Sequence, residues 1–96
     1  MPTYQWLPSF SGDLRRLSPE QRLAFHAAIT MFVADLASGQ FRSALRVKGV
    51  RGATGVFETT WAPNGWATFE FGTEITKGEP HVIWRRIGTH DIFDRP

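Results

Sequence analysis

The chain has 96 residues, a formal net charge of +2 and no cysteine. That length leaves room for one domain, residues 1–96, with one modest core, and the missing cysteine excludes disulfides and thiolate metal sites. The longest mostly apolar run, Ala27 to Ala34, is far too short to cross a membrane, so the expectation is a soluble, cytoplasmic protein.

Thr3 to Leu7, set between Pro2 and Pro8, alternates Tyr4 and Trp6 with Thr3 and Gln5 and predicts a first strand. Phe10, Leu14 and Leu17 then recur at the spacing of one face of a short helix, which leaves Arg15 and Arg16 towards water. Ser18-Pro19-Glu20-Gln21 carries the signals of a helix start: a serine cap, proline at the first helical position, an acid in the first turn and glutamine at the capping-box position. This second helix is expected to run to Ala37 or Ser38 and to stop at Gly39. Its buried stripe is Phe25, Ile29, Phe32 and Leu36, widened by Ala28 and Val33, with Arg22, His26 and Thr30 on the other side.

Residues 41–56 hold Arg42, Arg46, Lys48 and Arg51 without an acid, whereas residues 57–81 hold four glutamates against Lys77. Phe41 to Gly55 has little periodicity and reads as a basic loop. A basic segment beside an acidic one points to an anion-binding edge, and a solvated basic loop is the competing reading.

From Val56 the pattern is a hairpin, Val56 to Trp61 and Trp66 to Phe71, joined through Ala62-Pro63-Asn64-Gly65. A type I turn with Gly65 left-handed pairs Trp61 with Ala67, Thr59 with Phe69 and Phe57 with Phe71. The expected core face is Phe57, Thr59, Trp61, Ala67, Phe69 and Phe71, with Glu58, Thr60, Trp66, Thr68 and Glu70 opposite. After Pro80 a last strand places Val82, Ile83, Trp84 and Ile87 around Arg85 and Arg86, so at least one guanidinium must leave the core. Gly88 then lets the chain turn into a polar cap, Thr89-His90-Asp91, before Ile92 and Phe93. Helices followed by a run of strands predict an α+β domain with helices packed on a mostly antiparallel sheet.

This order, together with Asp13-Leu14-Arg15-Arg16-Leu17, Val50-Arg51-Gly52, Val56-Phe57-Glu58 and the stretch from Ile83 to Phe93, resembles the RelE/ParE superfamily of toxins over nearly the full length. The resemblance implies a two-layer fold of order β-α-α-β-β-β and the toxin half of a type II toxin–antitoxin pair, neutralised by a cognate antitoxin. RelE-like members cut messenger RNA on the ribosome without metal, and ParE-like members inhibit gyrase. A non-toxic interaction module of the same fold is a third reading.

Carried over by position, Arg51 matches an arginine that contacts the RNA backbone, and His90 falls where members place Arg or His at the end of the last strand. Phe93 lies near a tyrosine that some members use in catalysis, while Glu58 and Thr60 occupy lysine positions of the best-known RelE pattern. Cleavage by 2′-hydroxyl attack needs a base, an acid and positive charge on the phosphate. Glu58 as base, His90 as acid and Arg51 with Arg85 or Arg86 as clamps meet that need, Arg46 and Lys48 extend the RNA-binding surface, and Trp66 could stack on an unpaired base. The competing readings are that Glu58 pairs with an arginine on a neighbouring strand, that His90 hydrogen-bonds its own turn, and that Trp66 lies under the C-terminal tail or an antitoxin. His81, His90 and Asp91 form no compact ligand motif, so neither a metal nor another cofactor is expected.

Overall fold

The structure, a computed structural model, describes residues 2–96. Its elements are β1 (Thr3–Trp6), α1 (Pro8–Arg16), α2 (Pro19–Ser38), β2 (Lys48–Gly49), β3 (Phe57–Ala62), β4 (Gly65–Gly72) and β5 (His81–Gly88), with 3-10 turns at Ser43–Leu45 and His90–Asp94. One five-stranded sheet has the order β1-β5-β4-β3-β2, with β1 parallel to β5 and the other neighbours antiparallel. The α+β plan matches the sequence reading except for β2, which lies inside the stretch expected to be loop. Only Lys48 and Gly49 pair, with Glu58 and Phe57, and two residues are too few to show an alternating pattern.

α2 starts and stops where its caps place it. Ser18 Oγ accepts from the Gln21 N–H, the Gln21 side chain accepts from the Ser18 N–H, and Gly39 closes the helix at φ 85°. The stripe, however, is only partly covered. Ala28 and Phe32 are buried, whereas Phe25, Ile29, Val33 and Leu36 are half-exposed. α2 packs against β3 and α1 packs against β5, and between them lies an apolar groove of about 630 Å³ floored by Phe32 and Trp84 and flanked by Tyr4, Trp6 and Ile29. The core behind it is aromatic: Trp84 meets Phe10, Phe25, Phe32 and Phe69 with ring centroids 5.1 to 5.9 Å apart.

The hairpin register differs from the expected one by two residues. Phe57 pairs with Phe69, Thr59 with Ala67 and Ala62 with Gly65, with an irregularity at Trp61. A shift of two preserves which face each side chain takes, so Thr59, Trp61, Ala67 and Phe69 are buried as expected. Gly65 does not take the left-handed conformation. Glycine is needed there for space instead, because a Cβ would lie 2.5 Å from the Trp61 indole, whose Nε1–H donates to the Trp66 carbonyl. Phe71, expected in the core, is 46% exposed at the far end of β4, against the rings of Phe57 and Phe69.

β5 resolves the problem of two adjacent arginines with a bulge. Thr68 pairs with Arg86 and Phe69 with Trp84, so Arg85 is the extra residue. Trp84 and Ile87 stay in the core while both guanidinium groups reach partners outside it. The residues after Gly88 are not a loose polar tail. They form the 3-10 turn and fold back, burying Ile92 to 2% exposure.

Candidate functional site

The sheet face away from the helices carries the candidate residues in two lateral rows, because directly paired residues share a face. One row follows the pairs Lys48–Glu58, Glu58–Thr68 and Thr68–Arg86. The next follows Thr60–Trp66 and Trp66–Gly88, with His90 two residues beyond Gly88.

His90 stands at the end of this second row. Its ring meets Trp66 edge-on at 5.5 Å and Phe93 at 5.1 Å, and Phe93 in turn meets Trp66 at 6.0 Å. The three rings make one cluster at the exit of β5, with His90 exposed and Trp66 and Phe93 half-buried. His90 therefore does not spend its ring on its own turn. Thr89 and Asp91 satisfy each other instead, the Thr89 hydroxyl donating to Oδ1 at 2.7 Å. Trp66 is covered in part by the C-terminal residues, so it offers less open surface than a free platform.

Glu58 lies in the middle of the face with its side chain 12% exposed, and its ion-pair partner is Lys48 Nζ at 3.5 Å. Lys48 itself is mostly in water. Beside Glu58, the Thr68 hydroxyl is fully buried without a hydrogen-bond partner among the described residues, and the Thr60 hydroxyl is held by the carbonyls of Ala62 and Gly65.

The arginines divide into committed and free. Arg85 donates to Glu70 at 2.8 Å and to the Pro96 carbonyl at 3.0 Å. Arg86 donates through Nε and Nη2 to Asp13 at 2.6 and 3.1 Å and through Nη1 to the Arg95 carbonyl. These bonds raise the Arg86 pKa above the usual arginine value, the Asp13 hydrogen bond being the main cause. Both arginines thus hold the C-terminal residues against the sheet. Arg46 and Arg51, by contrast, have no side-chain hydrogen bond or ion pair among the described residues.

Arg51 is not at the same end of the sheet as His90. It sits in the turn from β2 to β3, past Val56, whereas His90 lies level with the β3–β4 turn. Four residues of strand and two to three strand spacings separate the two ends, roughly 17 Å between backbones. Arg51 and His90 cannot grip one phosphate together.

Asp13 is the residue the sequence reading missed. It is 6% exposed and, besides Arg86, accepts the Ile87 N–H at 3.1 Å. α1 thereby completes the edge of β5 beyond the end of β1. The hints in the sequence were its place in the Asp13-Leu14-Arg15-Arg16-Leu17 piece and an acid three residues after Phe10, at the margin of an apolar face. His81, buried at 3%, bridges Thr3 Oγ1 and Gln5 Oε1 at 2.8 and 2.9 Å and pins β1 to β5, away from the ring cluster. Among the described residues no three His, Asp or Glu side chains group into a metal site.

No protein-family model matches the chain, and no curated protein matches it by sequence. Solved structures do match by fold. A chain of the E. coli DinJ-YafQ toxin–antitoxin complex superposes with a TM-score of 0.66 at 13% identity, covering 94% of this chain and 93% of that one. The YoeB/ParE toxin from Agrobacterium tumefaciens gives 0.65 at 11% identity, over 92% and 98%. A chain of the RelB-RelE antitoxin–toxin complex from Methanococcus jannaschii gives 0.61 at 18% identity, over 95% and 98%. With its strand order, helix pair and near-complete coverage of these neighbours, this chain has the RelE-like toxin fold.

Proposed function

We propose that this chain is the toxin of a type II toxin–antitoxin pair and that it cuts messenger RNA on the ribosome. The observation that carries the reading is His90, exposed at the exit of β5 and braced by Trp66 and Phe93. A histidine braced by two rings keeps its orientation without spending its nitrogens, so one can hold a proton for transfer.

In this reading Glu58 takes the proton of a ribose 2′-hydroxyl, and the freed oxygen attacks the adjacent phosphorus. A 2′,3′-cyclic phosphate forms, the bond to the 5′ oxygen breaks, and His90 donates a proton to that leaving oxygen. Lys48 and Arg46 supply positive charge to the phosphate, and Arg51, at the other end of the face, contacts the backbone further along the strand. Arg85 and Arg86 act indirectly, by holding the C-terminal residues that carry Phe93.

The antitoxin reading rests on two supports. The neighbours include toxins solved with their antitoxins. The groove beside α2 leaves apolar surface uncovered, including Tyr4 at 63% and Trp6 at 47% exposure, with Arg15 and Arg22 along it. An amphipathic segment with acidic flanks suits such a surface.

A binding toxin of the ParE kind is the second reading, favoured by the ion pairing of Arg85 and Arg86, which leaves few free cations beside His90. The test is a cell-free translation reaction with message 5′ ends mapped, with and without ribosomes. Ribosome-dependent cuts that disappear in His90→Gln are the expected result. Intact messages with wild-type protein refute the nuclease and send the search to gyrase inhibition.

A further inference from the structure

We propose that the free edge of β1 binds a second copy of this chain, strand to strand and antiparallel, so that the two sheets join into one about a two-fold axis at Gln5. The inference goes beyond the toxin reading and does not depend on it.

β1 is the outermost strand on its side of the sheet. The Thr3 N–H donates to the Pro80 carbonyl and the Leu7 N–H to the Trp84 carbonyl. Backbone direction alternates along a strand, so Thr3, Gln5 and Leu7 turn their N–H and C=O groups towards β5, and Tyr4 and Trp6 turn theirs outwards, where the sheet has no further strand. Sheets commonly guard such an edge with charged side chains, yet residues 2–12 carry none. The side chains at the edge are instead the exposed Tyr4 and Trp6, on the helix side of the sheet with ring centroids 5.7 Å apart.

Two prolines fix the register. In an antiparallel pair, two residues that both face outwards exchange both of their N–H···O bonds. Pro2 and Pro8 continue the alternation of Tyr4 and Trp6 at either end, and neither has an N–H to give. Setting Tyr4 against Tyr4 of the second copy places Trp6 against Pro2, and setting Trp6 against Trp6 places Tyr4 against Pro8, so each of these registers completes a single pair. Setting Tyr4 against Trp6 of the second copy completes two pairs, and both ladders then end at the same prolines.

In that register Gln5 faces Gln5 of the second copy, and each tyrosine ring lies across from a tryptophan ring, a pairing that stabilises neighbouring strands. An acidic partner has Arg15 and Arg22 to recognise along the groove but no charge along this edge. The edge therefore suits its own uncharged, aromatic copy better than an acidic strand. The contact is small, so the dimer belongs to the transient class and forms as concentration rises.

The chain has no cysteine, so one introduced thiol reports one contact. Gln5 against Gln5 is a non-hydrogen-bonded pair with Cα atoms about 4.5 Å apart, inside the span of a disulfide. Thr3 against Thr3 is offset by four residues, roughly 14 Å along the strand, and serves as the register control. Each replacement removes one of the two hydrogen bonds to His81 and leaves the other. Under mild oxidation Gln5→Cys is expected to form covalent dimer about tenfold faster than Thr3→Cys or more. In sedimentation over rising concentration, wild type is expected to move from monomer towards dimer. Tyr4→Pro, which removes an outward N–H that the monomer does not use, is expected to stay monomeric and folded. A wild-type chain that remains monomeric overturns the proposal and leaves the edge to a strand of an antitoxin. Gln5→Cys linking no faster than Thr3→Cys, or a folded Tyr4→Pro that dimerises like wild type, overturns it as well.

Discussion

Replacing Asp13 by alanine is expected to be the most damaging single change outside the aromatic core. The carboxylate accepts from Arg86 at 2.6 and 3.1 Å and from the Ile87 N–H at 3.1 Å, while Arg16, 78% exposed at its side chain, adds little. Truncation leaves the Ile87 N–H without an acceptor beside a residue that is 1% exposed, a loss of about 1–3 kcal/mol. It also strips the partner from Arg86, whose side chain is only 26% exposed. Breaking a fully buried pair costs about 3–5 kcal/mol, and that partial exposure lowers the figure, so the sum is about 3–4 kcal/mol. For a domain of this size each kcal/mol moves the melting temperature by about 4–8 °C, giving a drop on the order of 12–30 °C. Asp13→Asn keeps an acceptor for Ile87 but not the charge for Arg86, and should fall between. The assay is urea unfolding followed by tryptophan fluorescence, repeated for Arg86→Leu and for the double variant. An Asp13→Ala variant within about 0.5 kcal/mol of wild type, or a cycle showing no coupling between the two positions, would falsify the assignment of Asp13 as the clamp on β5.

Three further outcomes follow from local geometry. Gly65→Ala sets a methyl 2.5 Å from the Trp61 ring and is expected to cost about 1–3 kcal/mol by overpacking, read as a lower urea midpoint. Thr68→Val removes, at nearly constant shape, a buried hydroxyl that has no partner among the described residues, so stability should stay level or rise by up to about 1 kcal/mol, and a clear loss would mean the hydroxyl is hydrogen-bonded in solution. The Arg42 hydrogen bonds lower the Asp35 pKa from 3.8 to about 2, so this clamp contributes fully above about pH 4 and is lost as pH falls towards 2. Acid titration of melting temperature should show that loss in wild type and a smaller one in Asp35→Asn; identical profiles refute it.

Much of the molecule was legible in the sequence because the signals were local. The caps of α2, the face alternation of β3 and β4, and the strand ending at Gly88 just before His90 are each written within a few consecutive residues, and backbone geometry converts them directly into elements. The exposed position of His90 was readable for the same reason. What depended on contacts distant in sequence was not. Whether Arg86 is free to bind a ligand turned on Asp13, more than seventy residues away, and whether Arg85 is free turned on Glu70 and on a bulge that pairing with β4 imposes. Arg51 and Arg46 look equivalent in a basic stretch, yet the pairing of Lys48 and Gly49 with β3 puts them at opposite ends of β2, Arg51 in the turn to β3 and away from His90. The half-covered stripe of α2 followed from how the helix crosses the sheet, since periodicity shows which side chains share a face but not how much of that face the rest of the chain can cover.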